Sequence, residues 1–588
     1  MEIEDSRVKL YRLHTIMLEN RSLRRLVIAS SGQFTLFQKD LDTTEVTSRD
    51  VILKKSRVYR ALIGESLEEL NASKSEDGDS LEAKDMLSKI HVLWHLCEIL
   101  YIDILAPGFL VDQLLVWIRY QYPDITSDAH AMMLTKNVHN HPDYWTLLMK
   151  FVARGEVKMA SNLLKLHPQF ESNENFYLIQ TLMDKMPQFT RDSIKYEFFA
   201  KWQAWNVQCK SHFKKNVFTS PEERIILGLL CGDFLTFSSN KHLFESWYHL
   251  MVAFLHFADP LIAEMDVPSL AHQSLTTFLD IRSEHQATSF DRALLSAFSY
   301  DLMAVVQESC SFQDNWWFLT HFLDLLYHGG ILNTNEIEEP KKLKEFFLLD
   351  YADSLMGDSE LWSCAVDYFA FCPELGLESL RLHLQRIPLD SEETAFKIIA
   401  YSEQYHFDDV TRIVSLVIAN KALAKNDLGQ AITWSARSKS PVLASHIADI
   451  YLKHFVEKHE FPDEEALKSL GNLMLTSDRL TFLAKYHEFV ELKKQGSLQE
   501  AGVQLESLIA SKIAPSFFIL TLLMDAIPLL DADMLTLNGD QTFQILMALD
   551  SYLTLLNKQS IDEDLKDKEN SLRLAIARNM ARSMVYAS

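Results

Sequence analysis

Along most of the chain, apolar residues return every third or fourth position, which places them on one face of an α-helix. Leu93, Leu96, Leu100 and Ile104 follow this spacing, with Cys97 and Ile99 widening the stripe. Pro107-Gly108 ends that run, and Leu110, Leu114, Leu115 and Ile118 begin the next. From about residue 85 onward the pattern predicts helix after helix. Stripes this wide suit helices packed on two sides, as in a solenoid whose interior units are covered by their neighbours. Residues 1 to about 70 carry a weaker, mixed helical pattern. Asn71–Ser80 (NASKSEDGDS) is small and polar and predicts a flexible linker. Charge-rich Ile561–Asn570 reads as a surface loop before a last amphipathic helix, Leu572–Met584.

Three corners carry a more specific signal. Gly155 precedes Ala160, Leu163 and Leu164; Gly496 precedes Ala501 and Leu505; and Asn426 precedes Ala431 and Trp434. Gly, or Asn as second choice, takes the left-handed conformation that ends a helix. The small Ala then admits close approach of the next helix, and the large residue one turn on fills the groove. These units predict helical hairpins. Their separations, 271 and then 70 residues, are irregular, so the chain is no fixed-period repeat array.

Composition agrees with this picture. Gly (16) and Pro (15) are too few in 588 residues for the many turns of an all-β fold, and 48% apolar residues exclude a disordered chain. A formal charge of −24 argues against nucleic acid as the main partner, and no strong basic patch stands out; the best run is Arg21, Arg24 and Arg25. The six scattered cysteines, with no CxxC, predict free buried thiols in a reducing compartment. The opening MEIEDSRVKLYR lacks the apolar core of a signal peptide, and no stretch reaches the length of a membrane span. A soluble intracellular protein is expected.

A search for chemistry finds little. There is no GxGxxG, GxxxxGK[ST] or HExxH. His139-Asn140-His141 offers two metal ligands, with neither cysteines nor carboxylates around it at ligand spacing, and reads as a polar loop before Pro142. Glu563, Asp564 and Asp567 loosely match the Mg²⁺-binding aspartates of helical isoprenoid enzymes, but interleaved lysines favour a solvated stretch. His95, His249 and His321 sit at helical positions suited to packing, and Trp316-Trp317 reads as core. No catalytic group, metal or cofactor is expected, and no partner-binding residue is assigned.

Ordered strings in the second half carry a resemblance. They include Asn315-Trp316-Trp317-Phe318, Glu345-Phe346-Phe347-Leu348-Leu349-Asp350-Tyr351-Ala352, Val366-Asp367-Tyr368-Phe369 and Cys372-Pro373-Glu374-Leu375-Gly376. Arg386-Ile387-Pro388-Leu389, Ser477-Asp478-Arg479-Leu480-Thr481-Phe482-Leu483, Ile513-Ala514-Pro515 and Ala577-Arg578-Asn579 follow, with sparser matches such as Trp94 and Trp247-Tyr248-His249 earlier. From about residue 85 to its end the chain closely resembles the nucleoporin eighty-five family (seventy-five in flies), a scaffold subunit of the Y-shaped complex of the nuclear pore.

The resemblance implies an all-α, irregular fold-back α-solenoid shared with vesicle-coat subunits, without enzymatic activity. It implies residues 1–80 as an N-terminal segment and linker, 81–395 as helical crown and trunk, and 396–588 as a C-terminal helical tail. The implied partners are a WD-repeat β-propeller, completed in the family by an inserted N-terminal β-blade, and other scaffold subunits reached through the tail. The implied place is the nuclear envelope, in support of pore assembly and of nucleocytoplasmic, mRNA and protein transport. Residues 1–60 offer only Phe34-Thr35-Leu36-Phe37 as a strand-like run, too little for a blade. Either the chain is a shortened product or helical surfaces alone hold the propeller. The alternatives are a vesicle-coat or tethering scaffold of the same fold and, more distantly, an isoprenoid-type enzyme.

Overall fold

The computed structural model describes residues 20–587 except 43–47, 73–77, 104–109, 123–124, 126–128, 131, 133–138, 140, 190–193, 216–217, 219, 284–285, 313–315, 335–336 and 557–562. Among the described residues the chain is all-α, with no strand. It forms two compact units, Met1–Gly376 and Leu377–Ser588.

The first unit contains α1 (Arg21–Asp42), α2 (Arg49–Ala72), α3 (Gly78–Cys97), α4 (Leu110–Gln121), α5 (Tyr144–Ala153), α6 (Val157–Lys165), α7 (Glu174–Asp184), α8 (Lys195–Lys215) and α9 (Pro221–Leu230). It continues through α10 (Phe234–Ser239), α11 (Trp247–Ala258), α12 (Val267–Leu279), α13 (Ser289–Phe298), α14 (Leu302–Phe312), α15 (Trp316–His328), α16 (Pro340–Met356) and α17 (Trp362–Ala370). The second unit holds α18 (Gly376–Leu384, beginning on the last residue of the first), α19 (Glu392–Gln404), α20 (Asp408–Ala424), α21 (Leu428–Arg437), α22 (Pro441–Lys458), α23 (Glu464–Ser469) and α24 (Asp478–Gln495). It ends with α25 (Leu498–Ser511), α26 (Ile519–Met524), α27 (Ile527–Leu530), α28 (Gly539–Leu556) and α29 (Glu563–Ala587).

Many sequential helices pack on each other as hairpins, such as α13 on α14, α20 on α21 and α24 on α25, and the three predicted corners are built as expected. Gly155, Asn426 and Gly496 all have positive φ (69°, 62° and 79°). At each, the next residue's N–H reaches back five positions, Glu156 to Phe151, Asp427 to Ala422 and Ser497 to Leu492, which satisfies a terminal carbonyl of the finished helix. Ala160, Ala431 and Ala501 are fully buried where the next helix comes close. Gly232, Tyr300, Gly330 and His406 make the same turn at corners with no glycine-then-alanine signal. Asp233, Asp301 and Asp427 follow such a corner and cap the next helix by accepting the N–H of Thr236, Ala304 and Gln430.

Four expectations need correction or delimiting. Phe34–Phe37 is not strand-like but lies within α1, where Phe34 and Phe37 are fully buried. The proposed linker is helical at Asn71-Ala72 and Gly78–Ser80, and the remainder falls outside the described residues. Residues from Glu563 onward are helix rather than loop, because the charges pair along the axis, as Arg573 does with Glu569 four residues back. Ile104, Pro107-Gly108, Asn315 and the opening MEIEDSRVKLYR also lie outside the described residues.

Within the first unit the chain folds back on itself. α1 packs on α17, α2 on α15 and α3 on α13. The seam is polar as well as apolar. Phe34 stacks on Tyr368 with centroids 4.5 Å apart, Trp317 Nε1 donates to Ser30 Oγ at 2.9 Å, and Gln38 Nε2 donates to the buried Asp324 carboxylate at 2.8 Å.

Candidate interaction surface

The residues singled out for chemistry are dispersed or already occupied. His141 lies 3.8 Å from the exposed Asp143 carboxylate and His139 rests against the His167 ring; Asn140 is outside the described residues. Asp567 is exposed on α29. Arg24 pairs with Asp358 at 2.7 Å and with Glu360, tying α1 to the turn before α17, while Arg25 pairs with Glu69 at 2.9 Å. These arginines are engaged within the chain.

His95, His249 and His321 are buried packing residues. His321 Nδ1 lies 2.7 Å from the Trp317 carbonyl, so it carries the proton, and Nε2 accepts from the Tyr368 hydroxyl at 2.8 Å. Burial pulls its pKa down to about 4, and pulls those of His95, His249 and His256 to about 3. Trp317 is fully buried against Trp94 and Tyr59. Cys97, Cys209, Cys231 and Cys372 are buried free thiols, Cys209 with its pKa raised by burial to about 12; Cys310 and Cys364 are only partly covered.

Among the described residues, one trio of side chains converges with metal-ligand geometry: Glu464, His487 and Glu491, whose donor atoms lie within 4.8 Å. Lys494 stands 2.9 Å from Glu464 and 3.5 Å from Glu491, and Lys468 stands 3.3 Å from Glu491. Two ammonium groups thus already balance the two carboxylates, and the cluster ties α23 to α24. The i,i+4 pair His487/Glu491 was visible in the sequence, but Glu464 arrives from another helix.

The second buried network crosses α2 and the end of α3. Ser56 Oγ donates to Glu98 at 2.6 Å and accepts from Trp94 Nε1 at 3.0 Å, and Arg60 lies 3.2 Å from the same carboxylate. Glu98 opens a π-helical turn, Glu98–Ile102, that is buried throughout. This network positions helices; nothing in it opens onto a substrate-sized space.

What the surface offers is apolar contact area. On the solvent side of α1, Ile28, Gly32 and Leu36 form an exposed row. At the end of the second unit, a groove of about 540 Å³ lies between α25, α26 and α28, lined by Leu508, Ile519, Leu522, Phe543 and Met547. A second hollow of about 640 Å³ between α28 and α29 shares Phe543 and adds Leu535, Met580 and Met584. Phe543 and Met547 are half exposed and Met584 more so. Exposed apolar area gathered in this way marks interaction sites. Sequence periodicity missed it, because an apolar residue lining a groove reads like one lining a core.

The family described as Nup85 Nucleoporin matches residues 8–551. Nuclear pore complex protein Nup85 of Homo sapiens is 32% identical over 583 residues, covering 96% of this chain and 89% of the relative. The Nup85 of Danio rerio is 34% identical over 580 residues with the same coverage. Nuclear pore complex protein Nup75 of Drosophila melanogaster is 27% identical over 561 residues, covering 90% and 83%.

Proposed function

Because this chain belongs to the Nup85 nucleoporin family, we propose that it is a structural scaffold subunit of the nuclear pore complex at the nuclear envelope. The family is named for a place in the pore and not for a reaction. In our reading the chain is part of the pore's Y-shaped subassembly. The exposed row on α1 faces a WD-repeat propeller, and the tail, taken as residues 396–588, joins other scaffold subunits. Transport of mRNA and protein then follows from the assembly and needs no chemistry from this chain.

The observation that carries the reading is family similarity running through both units, joined to apolar grooves at the end of the second. Obligate scaffold interfaces bury about 2,000 Å² or more, and half-exposed aromatic and methionine side chains are fitting anchors for them. The tests are localisation and partner exchange. A tagged chain stains the nuclear rim and copurifies with a WD-repeat propeller and further pore subunits. Phe543→Asp with Met547→Asp releases the tail partners and leaves the propeller bound. Staining of endoplasmic-reticulum exit sites, or isolation of the native chain as a lone monomer, refutes the reading.

A further inference from the structure

Of the helices in this acidic molecule, α8 is the most basic. α8 carries Lys195, Lys201, Lys210, Lys214 and Lys215 against a single acid, Glu197, in a chain of net charge −24. All five lysines are exposed, and among the described residues none forms an ion pair. They are spread over 21 residues and round the solvent side of the helix, Lys210 and Lys214 on one row and Lys201 and Lys215 on the flank beyond it.

The two faces of α8 have opposite characters. Phe198, Trp202, Trp205 and Cys209 point into the core. Trp205 Nε1 donates to the Leu182 carbonyl at 2.8 Å, and Asn206 Nδ2 donates to the Phe257 carbonyl at 3.1 Å, which fixes the helix to α7 and α11. The solvent face presents Tyr196, Ala200, Gln203, Val207, Lys210 and Lys214, alternating four and three residues apart, with Ala204 beside the row. That alternation is the seam one helix offers another, small residues at its centre admit close approach, and flanking charges choose the partner.

We infer that this face of α8 is a docking surface for an acidic amphipathic helix of another protein. The charge selects an anionic partner, since among the described residues the five lysines form no ion pair. A helical partner is favoured over a phospholipid surface because the largest anchors a bilayer would hold, Phe198, Trp202 and Trp205, are turned inward, leaving Tyr196, Val207 and two alanines outside. The clamp beneath the helix keeps the seam in place before binding, which lowers the ordering cost.

The test uses the full chain in native extract with a zero-length carbodiimide, which joins a lysine amine to a carboxylate only where the two touch. Wild type and Ala204→Trp are compared, the latter filling the seam without altering charge. The expected result is coupling of Lys201, Lys210 or Lys214 to Glu or Asp residues spaced three or four apart in a helix of another protein. Its yield falls at least fivefold in Ala204→Trp, while the melting temperature is unchanged. Coupling confined to this chain's own carboxylates, absence of coupling, or coupling indifferent to Ala204→Trp overturns the proposal. So does binding of the purified chain to phosphatidylserine vesicles that Lys201→Glu/Lys210→Glu/Lys214→Glu abolishes.

Discussion

Glycine at a helix corner serves two ends, and two corners of this molecule separate them. At Gly496 φ is +79° and a Cβ would meet nothing within 4 Å, so Gly496→Ala tests backbone conformation alone. A left-handed alanine costs ~1–2 kcal/mol, and the stiffer unfolded chain returns ~0.4–1 kcal/mol of that. The net loss is about 1 kcal/mol. At Gly232 φ is +67°, but a Cβ would stand 2.8 Å from Ala258 Cα and 3.0 Å from its amide nitrogen. Those are main-chain atoms at the end of α11, which no rotamer change can move aside. Overpacking of this kind adds ~1–3 kcal/mol, so Gly232→Ala costs about 2–4 kcal/mol in all. Native-state hydrogen exchange reads each corner separately, since amides open with their local free energy and ~1.4 kcal/mol is tenfold. Exchange in α9 to α11 should accelerate by roughly thirtyfold or more in Gly232→Ala. Exchange in α24 and α25 should accelerate less than about tenfold in Gly496→Ala. Equal acceleration at the two corners, or a larger one at Gly496, refutes the argument that backbone contact dominates at Gly232.

Other outcomes follow from the buried polar groups and the division of the chain. Ser56→Ala removes a partner from both Glu98 and Trp94 and should destabilise the first unit by about 2–4 kcal/mol, read as a lowered urea midpoint of its tryptophan fluorescence. Leu100→Asp places an unpaired charge in the buried π turn and should cost several kcal/mol, about 3–5; an unchanged melting temperature would show that face to be solvated. His95, His249, His256 and His321 are neutral when folded, with pKa values pulled by burial to about 3–4, whereas unfolded they take up protons below ~6.5. Their contribution is therefore whole above pH ~6.5 and declines as pH falls toward 4, by up to ~1.4 kcal/mol per unit for each; a flat melting profile across that range would contradict it. A chain ended at Gly376 should fold, keeping the protease resistance of α1 to α17, because the α1–α17 seam lies wholly inside it; rapid digestion of α1 would count against this.

Helical content and hairpin corners were readable because each rests on local rules. Gly155, Asn426 and Gly496 announced their turns by residue type, whereas Tyr300 and His406 adopt the same turn with side chains that ordinarily avoid it. α1 was obscured for a physical reason: its buried face includes Ser30, Ser31 and Gln38, so the apolar period is interrupted where polar partners from α15 and α17 complete it. The basic face of α8 and the grooves around Phe543 were hidden because both appear only when positions far apart in the chain share a surface. Periodicity names the buried side of a helix; it does not say which exposed side is waiting for a partner.

The seam that closes the first unit has a consequence for how the protein is made. Its polar links join residues 286 to 336 positions apart, as in Gln38 with Asp324 and Arg24 with Glu360. A ribosome adding ~5–20 residues per second leaves roughly 20 to 60 seconds between the emergence of Phe34 and that of its stacking partner Tyr368. During that interval the faces of α1 and α2 that pack on α17 and α15 lack those partners. The order of the sequence thus delays closure of the first unit until α17 has been made.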